Sequence, residues 1–190
     1  MSQPVGVLLL ASGASRRFGS DKRLALLPSG LTLLEHMLAI IDRAGLPCHV
    51  TVRQGDSLDL PPKLELMRAD EGMASSIAEA VALLRDDFDA LMILPVDLPL
   101  LRSDTLNRLA RGVGKDTLRR PVFDGNPGHP VVFGKAFYGD LAALAGEGGA
   151  QSVINTYSQH LEQVAVDDPG VCCDIDTPDA LRELIAQGVL

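Results

Sequence analysis

A cluster of positive charge near the start of the chain is the segment best suited to chemistry. Within eight positions the sequence places four cations: Arg16, Arg17, Lys22 and Arg23. The whole chain has a formal net charge of −8, so the sign of the charge is inverted locally. The cluster follows an apolar run that is typical of a buried strand, and cations at the end of such a strand favour polyphosphate binding. We therefore predict an anion-binding site in this loop.

The residues between the apolar run and the cations are small. Residues 11–15 read ASGAS, which lets backbone N–H groups approach a phosphate with no bulky side chain in the way. The spacing is not that of a Walker loop, because five residues separate Gly13 from Gly19 and Ser20 follows directly, and no GxGxxG is present. The alternative interpretation is a surface loop that is merely basic.

Asp97 is the first candidate metal ligand. It follows a nearly unbroken aliphatic run in LPVDLPLL, which places its carboxylate where a buried strand ends. Mg²⁺ prefers one or two carboxylates together with substrate phosphates and water, so a carboxylate opposite a phosphate-binding loop suits this ion. The alternative is an Asp that stabilises the turn before Pro99.

Three further carboxylates lie in DIDTPDAL, at the predicted start of the last helix: Asp174, Asp176 and Asp179. Thr177 is suited to cap that helix, and an acid near a helix N-terminus is favoured in any case. A structural role therefore competes with metal binding for this group.

Two other motifs carry polar side chains. Ser75 and Ser76 in GMASSI are suited to bind a base edge or the first N–H groups of a helix, and Ser76 with Glu79 has the pattern of a capping box. His129 in GNPGHPVVF is suited to be a general base, a substrate contact or a turn-stabilising residue. From the residues alone these alternatives stay open.

Strand-like and helix-like apolar patterns alternate along the first half of the chain. They predict strands at 5–10, 48–53, 64–67 and 90–94. They also predict helices at 31–44, with Thr32 as its N-cap, from just after Gly72 and Met73 to 84, and at 103–112. This rhythm indicates an α/β fold with a doubly wound, mostly parallel, Rossmann-like sheet, in which ligands bind at the carboxyl ends of the strands. RRPVFDGNPGHPVVF then predicts a small antiparallel addition. Helical segments at 135–145 and 149–160, a strand at 162–166 and a helix at 177–187 complete the prediction.

Length and composition fit a single domain over residues 1–190. The longest apolar run is too short to span a membrane, and the first residues lack the charged start of a signal peptide, so we expect a cytoplasmic protein without membrane association. Three cysteines give no disulfide framework or metal spacing. An acidic chain with two Tyr and no Trp argues against a nucleic-acid partner.

LLLASGASRRFGSDK resembles the LAAGxSxRMGxxK signature of the MobA-like nucleotidyltransferases. This family includes the molybdenum cofactor guanylyltransferases and cytidylyltransferases. Four further segments resemble motifs of the family, in the family's order and across nearly the whole chain: LPVDLPLL, GMASSI, GNPGHPVVF and DIDTPDAL. The resemblance thus extends well beyond the first loop.

The resemblance implies a role for each candidate residue. The catalytic cations would be Lys22 and Arg17, the metal ligands Asp97 and Asp176, and the substrate contact His129. The nucleotide would be bound by Leu10, Ala11, Ser12, Gly13, Ala14 and Ser75. The implied cofactor is Mg²⁺. At Glu147 and Gln151 the chain departs from the GDxGAR of related sequences, so an anionic acceptor loses the arginine that Gln151 replaces.

The implied reaction is transfer of a nucleotidyl group from CTP or GTP to the phosphate of a molybdopterin-type acceptor, with release of pyrophosphate. A phosphomonoester is mostly ionised at pH 7, its second pKa being about 6, so no general base is required. Ser12, where the guanylyltransferases typically have Gly, favours CTP by resemblance. The alternatives are a GTP-using enzyme, a transferase for another phosphorylated acceptor, and a non-catalytic nucleotide- or cofactor-binding chaperone whose partner is a molybdoenzyme.

Overall fold

One sheet of eight strands forms the centre of the computed structural model, which describes residues 5–15, 17–59 and 62–190. Arg16, one of the four predicted cations, lies outside the described residues. The strands are β1 (Val5–Leu10), β2 (Cys48–Arg53), β3 (Lys63–Leu66), β4 (Ala90–Pro95), β5 (Leu118–Phe123), β6 (Asn126–Pro127), β7 (Val131–Gly134) and β8 (Leu161–Ala165). The helices are α1 (Leu33–Arg43), α2 (Met73–Leu84), α3 (Ser103–Ala110), α4 (Tyr138–Ala142), α5 (Gln151–Thr156) and α6 (Pro178–Ala186).

The strand order is β3-β2-β1-β4-β7-β5-β6, and β8 pairs with β5. The first four strands are parallel, whereas β7 runs antiparallel between β4 and β5. The predicted α/β fold with a mostly parallel sheet and an antiparallel addition is therefore confirmed. The chain moves outward from β1 to β3 and then returns to place β4 on the other side of β1. Such a reversal opens a crevice at the carboxyl ends of the two strands, where ligands bind in sheets of this kind.

Alternating residues of β1 show why the sheet is covered on both faces. Val7 and Leu9 are fully buried in the hydrophobic cluster that contains α1 and α3 side chains, and Leu8 is fully buried in the cluster formed with α2, α4 and α5. An unbroken aliphatic run is the pattern of such a strand, because successive side chains point to opposite faces. The helices thus fix β1, and with it the loop that follows.

Two helix starts have the caps that the sequence predicts. Thr32 accepts a hydrogen bond from the Glu35 N–H, and the Glu35 carboxylate accepts from the Thr32 N–H, which completes a capping box at α1. Thr177 accepts from the Ala180 N–H at 3.2 Å and caps α6. The segments predicted as helices at 135–145 and 149–160 contain only the short helices α4 and α5 with 3₁₀ turns beside them.

The capping box predicted from Ser76 and Glu79 is wrong. The Ser76 hydroxyl donates to the Gly72 carbonyl at 3.1 Å, and the Glu79 carboxylate accepts from the N–H groups of Met67 and Arg68. The first turn of α2 is instead satisfied by a distant loop, because the Gly146 carbonyl accepts from the Ala74 N–H at 2.8 Å. Local sequence contains no signal for this contact. None of the helices in the described ranges is long and apolar enough to cross a membrane.

Candidate active site

A cavity of about 350 Å³ lies at the carboxyl ends of β1 and β4, where the strand order reverses. Nine of the predicted site residues line it: Leu10, Ala11, Ser12, Gly13, Ala14, Arg17, Lys22, Asp97 and Asp176. The cavity therefore brings together the loop after β1, the loop after β4 and the segment before α6. These segments are distant in sequence, so only the fold places their charges around one space.

The loop after β1 has backbone N–H groups available for a ligand. Within the described part of the chain, the N–H groups of Ser12, Gly13 and Ala14 have no hydrogen-bond partner. The carbonyls of Ala11 and Ser12 are held by protein, because they accept from Arg23 Nη1 at 3.1 Å and from Arg53 Nε at 2.9 Å. A loop with three free donors, whose first two carbonyls are already occupied, is suited to bind an anion.

Gly13 leaves open space in this loop. A Cβ built at Gly13 would meet no protein atom within 4 Å, and its backbone is not in the left-handed region. Neither the turn nor the packing thus requires glycine at this position. Gly13 is one of the cavity-lining residues, so the space that a side chain would occupy is space available to a ligand.

Lys22 is the central cation of the cavity. Its Nζ donates to Asp97 Oδ2 at 2.7 Å and to the Ile175 carbonyl at 2.9 Å, and it lies 3.7 Å from Asp176 Oδ1. The side chain is only 12% exposed, and that of Asp97 is 18% exposed. The Ile175 N–H in turn donates to the Asp97 carbonyl at 2.9 Å, which ties the two loops together. The ammonium group is thereby held in one place in a partly water-excluded site.

Arg17 and Asp176 form a second ion pair at the edge of the cavity. Arg17 Nη1 lies 2.7 Å from Asp176 Oδ2, and the two side chains are 79% and 45% exposed. A pair this exposed contributes little to stability. Because Thr177 caps α6, Asp176 is not required as the cap, and its carboxylate is available to the cavity.

Asp97 and Asp176 fit a divalent cation whose remaining ligands come from a bound substrate and from water. No group of three or more His, Cys, Asp or Glu side chains in the described residues is arranged to hold a metal on its own. Asp97 and Asp176 both approach the same ammonium nitrogen of Lys22, so their oxygens face a common region. Two carboxylates with phosphate oxygens and water as the remaining ligands is an ordinary donor set for Mg²⁺.

Ser12 has its hydroxyl engaged inside the protein. It donates to Ser76 Oγ and accepts from Thr51 Oγ1, both at 3.3 Å, and the Ala11 N–H donates to the same Thr51 oxygen at 3.0 Å. Ser12 and Ser76 are each only 4% exposed. This buried network fixes the start of the loop on β2 and α2.

The sequence predicts that Ser75 contacts the nucleotide, but this residue does not line the cavity. The residue is fully buried, and its hydroxyl accepts from the Gly146 N–H at 3.0 Å. Its neighbour Ser76 is the serine of this motif that reaches the cavity wall. Ser75 thus positions the loop around Gly146, which forms the wall beside Glu147.

His129 lies in a second cavity of about 280 Å³ and is not among the residues that line the first. Desolvation lowers the pKa of its imidazole, and the positive charge of Arg120 lowers it further, while Asp97 and Asp174 act in the opposite direction. The two cavities share Leu10, Met73, Pro95 and Glu147. The structure therefore places His129 beside the nucleotide-site candidates, in an adjoining compartment.

Sequence reasoning did not single out Arg53 and Asp70, which line the first cavity and lie 2.7 Å apart as an ion pair. Arg53 is the last residue of β2, a parallel strand that is adjacent to β1. A charged residue at the carboxyl end of a parallel strand is a signal that could have identified it. Asp70 lies in a 3₁₀ turn, and no sequence pattern distinguishes it from other surface acids.

These features together define an α/β protein with a cavity that is suited to a phosphorylated ligand. Free loop amides, a partly buried lysine and two carboxylates surround one cavity at the reversal point of a mostly parallel sheet. The sequence model of the MobA-like NTP transferase domain matches residues 7–164. The chain belongs to this family, which confirms the resemblance drawn from its motifs.

Two curated relatives show how far the sequence similarity extends. The chain is 26% identical over 174 residues to the bifunctional protein GlmU of Rhizorhabdus wittichii, covering 87% of this chain and 37% of that protein. It is 37% identical over 115 residues to a molybdenum cofactor guanylyltransferase of Xanthomonas euvesicatoria, covering 57% and 55%. The chain thus spans about a third to a half of the length of these two curated relatives.

The solved structures show the same fold over the whole chain. The crystal structure of Rv0371c from Mycobacterium tuberculosis superposes with a TM-score of 0.83 at 25% identity, covering 98% of this chain and 99% of that one. A second structure of Rv0371c is a complex with manganese, with a TM-score of 0.77 at 22% identity and coverage of 98% and 100%.

Proposed function

We propose that this protein transfers a nucleotidyl group from a nucleoside triphosphate to the phosphate of a molybdopterin-type acceptor and releases pyrophosphate. The observation that carries the proposal is the position of Lys22. Its ammonium group is held between Asp97 and the Ile175 carbonyl, on the wall of a cavity that also contains a loop with free N–H groups. Binding of a triphosphate there is supported by both charge and geometry.

The nucleotide is bound by the loop after β1. The N–H groups of Ser12, Gly13 and Ala14 donate to phosphate oxygens, and the space left open at Gly13 admits the phosphate chain. Leu10 and Ala11 form the base of this wall. Ser75 acts indirectly, since it anchors the opposite wall through the Gly146 N–H.

The reaction forms one bond and breaks one. An oxygen of the acceptor phosphate attacks the α-phosphorus, and the bond between that phosphorus and the bridging oxygen to the β-phosphate breaks, so pyrophosphate leaves with the electron pair. The attacking oxygen already carries negative charge near pH 7, so no proton has to be removed. Lys22 and Arg17 stabilise the charge that accumulates on the transferring group and on the leaving pyrophosphate.

Asp97 and Asp176 are the residues that would hold Mg²⁺. The ion would supply positive charge to the phosphate oxygens and order the triphosphate. In the protein alone these carboxylates contact Lys22 and Arg17. Nucleotide binding therefore requires the cations to exchange carboxylate contacts for phosphate contacts, which couples the metal site to the nucleotide.

CTP and GTP are the two candidate nucleotides. Ser12 in place of the Gly that is typical of guanylyltransferases favours CTP, whereas the Xanthomonas relative carries the name of a guanylyltransferase. The GTP alternative therefore fits at least as well. The Ser12 hydroxyl is bonded to Ser76 and Thr51, so any influence on the base comes from the volume of its side chain and not from a hydrogen bond.

The test is pyrophosphate release from the purified chain with Mg²⁺ and molybdopterin, using CTP and GTP in parallel. We expect release that requires the acceptor and that one nucleotide supports with the higher kcat/KM. No release with either nucleotide, while binding is retained, would contradict the proposal and favour a non-catalytic carrier. Release with N-acetylglucosamine 1-phosphate but not with molybdopterin would keep the reaction and replace the acceptor.

A further inference from the structure

The second cavity lies directly against the first. It has a volume of about 280 Å³, and four residues belong to both cavities, among them Pro95 at the end of β4 and Glu147 in the opposite loop. Much of its wall is aliphatic or aromatic, with Ile93 and Phe133 as examples. A molecule bound here would be next to the phosphates of a nucleotide in the first cavity.

Arg120 is the unusual residue of this cavity. It lies in β5, and its Nε is buried without a hydrogen-bond partner in the described part of the chain. The contact from Nη2 to the Gly128 carbonyl is long, at 3.4 Å. Burial lowers the pKa of this guanidinium, which means that its charge is poorly compensated. An arginine has five N–H donors. The Nε donor is buried, so the donors available to a ligand are those of Nη1 and the second N–H of Nη2.

The preceding residue of β5, Arg119, is an arginine with a structural role. Arg119 Nε donates to Glu162 at 2.8 Å, and its Nη1 donates to the carbonyls of Leu109 and Arg111 at 2.9 and 2.7 Å. Neighbouring residues of a strand lie on opposite faces, so Arg119 is directed to α3 and β8 while Arg120 lines the cavity. A role in stabilising the fold therefore explains Arg119 but does not explain Arg120.

Gln151 and His129 line the same cavity as Arg120. Gln151 occupies the place where related sequences carry an arginine, and this change predicts a lost contact to an anionic acceptor. Arg120 restores a positive charge to that compartment from a different element. The charge of Arg120 lowers the pKa of His129, and that of Asp97 raises it, so His129 lies within electrostatic reach of both residues.

We propose that Arg120, with His129 as a second donor, binds the phosphate of the acceptor substrate. The substrate class is a phosphomonoester, and the apolar part of the wall receives its uncharged body. Glu147 is the carboxylate in this cavity, and it would oppose an anion placed next to it. The location beside the α-phosphate rests on the proposed function, but the anion site itself depends only on Arg120, His129 and the cavity that they line.

The test measures binding of phosphomonoesters to the full chain by isothermal titration calorimetry. The probes are 6-hydroxymethylpterin monophosphate and N-acetylglucosamine 1-phosphate, each compared with the same compound lacking phosphate. Every titration is run alone and with the α,β-methylene analogues of CTP and GTP. The variants are Arg120→Gln and Arg120→Lys, and Arg108→Gln on the exposed side of α3 is the matched control.

We expect at least one phosphate ester to bind the wild-type chain about 10- to 100-fold more tightly than its phosphate-free analogue, which is the size of one charge-assisted contact. Arg120→Gln should abolish this difference, Arg120→Lys should recover part of it because a single ammonium cannot form two parallel bonds, and Arg108→Gln should change nothing. Affinity for the methylene analogues should stay within twofold in all variants.

Two results would overturn the inference. One is a phosphate preference that Arg120→Gln leaves intact, and the other is a wild-type chain that binds neither ester better than its phosphate-free analogue in any titration. Binding of the sugar phosphate alone, with dependence on Arg120, would support the inference and contradict a molybdopterin-type acceptor. The failure of the proposed acceptor and the failure of this anion site are thereby distinguished.

Discussion

Replacement of Lys22 by Met tests whether the cation acts in the transition state or only in binding. The substitution keeps most of the side-chain volume and removes the charge. It leaves the Asp97 carboxylate and the Ile175 carbonyl without the donor that lies 2.7 and 2.9 Å from them. Two consequences follow, one for stability and one for rate, and the structure gives a magnitude for each.

The stability effect follows from the two lost hydrogen bonds. Bonds to a charged group contribute about 1.5 to 3 kcal/mol each, but Asp97 retains 18% exposure and water replaces part of the loss. We expect a decrease of about 2 to 3 kcal/mol in the free energy of unfolding. For a domain of this size that corresponds to a Tm about 4 to 12 °C lower, measured by scanning calorimetry without nucleotide.

The kinetic effect separates the two roles. A cation that binds only the ground state would raise KM and leave kcat nearly unchanged, whereas a cation that meets charge in the transition state lowers kcat. We expect kcat to fall by about 10² to 10³, the usual effect of one preorganised electrostatic contact, with a smaller change in KM. The assay is pyrophosphate release at saturating Mg²⁺ and acceptor, well below the Tm of the variant.

Lys63 provides the control. Its Nζ donates to the carbonyls of Asp56 and Leu58 and lies 3.2 Å from Glu65, so it resembles Lys22 in its contacts but lies outside the cavity. Lys63→Met should lower stability without lowering kcat. If Lys22→Met kept kcat and lost only affinity, the transition-state role assigned to Lys22 would be refuted.

Three further predictions follow from single residues. Gly13→Ala should leave the Tm within 1 to 2 °C, since no protein atom lies within 4 Å of the new Cβ, yet weaken nucleotide binding about tenfold or more by calorimetry; unchanged affinity would exclude the loop as the phosphate site. Ser12→Gly should shift kcat/KM for CTP over GTP toward GTP by about tenfold; an unchanged ratio would place base selection elsewhere. Burial lowers the pKa of His49 below 6.5 in the folded chain. As the pH falls, the unfolded chain therefore takes up a proton at this histidine before the folded chain does. The stability that is present above pH 6.5 is lost as a result. His49→Leu should therefore reduce the decrease in Tm between pH 7.5 and pH 5.5, and an identical decrease in both proteins would contradict this.

The sequence was sufficient for the features that depend on nearby residues. A short, unbroken aliphatic run followed by small residues is typical of an internal strand, so β1 and the loop after it were predictable at their observed positions. The same holds for the caps at Thr32 and Thr177, whose partners lie three residues away. The family motif then selected Arg17 and Lys22 from the local charges, and both line the first cavity.

Contacts between distant segments could not be predicted in this way. The Gly146 loop satisfies the first turn of α2, and this contact displaced the capping box and buried Ser75. In the same way, adjacent arginines at 119 and 120 are equivalent in sequence, and only the sheet determines which one pairs with Glu162 and which one lines a cavity. Burial and long-range pairing thus give different roles to residues that are equivalent in composition and spacing.

The fate of the α-phosphate tests the central claim most directly. CTP and GTP labelled at the α-phosphorus, and the same nucleotides labelled at the γ-phosphorus, are incubated with the chain, Mg²⁺ and molybdopterin, beside the Asp97→Asn variant. We predict that the α-label appears in the acceptor, that the γ-label appears only in pyrophosphate, and that Asp97→Asn loses most of the transfer. Transfer of the γ-label, or loss of the α-label to free nucleoside monophosphate with none in the acceptor, would contradict nucleotidyl transfer at this site.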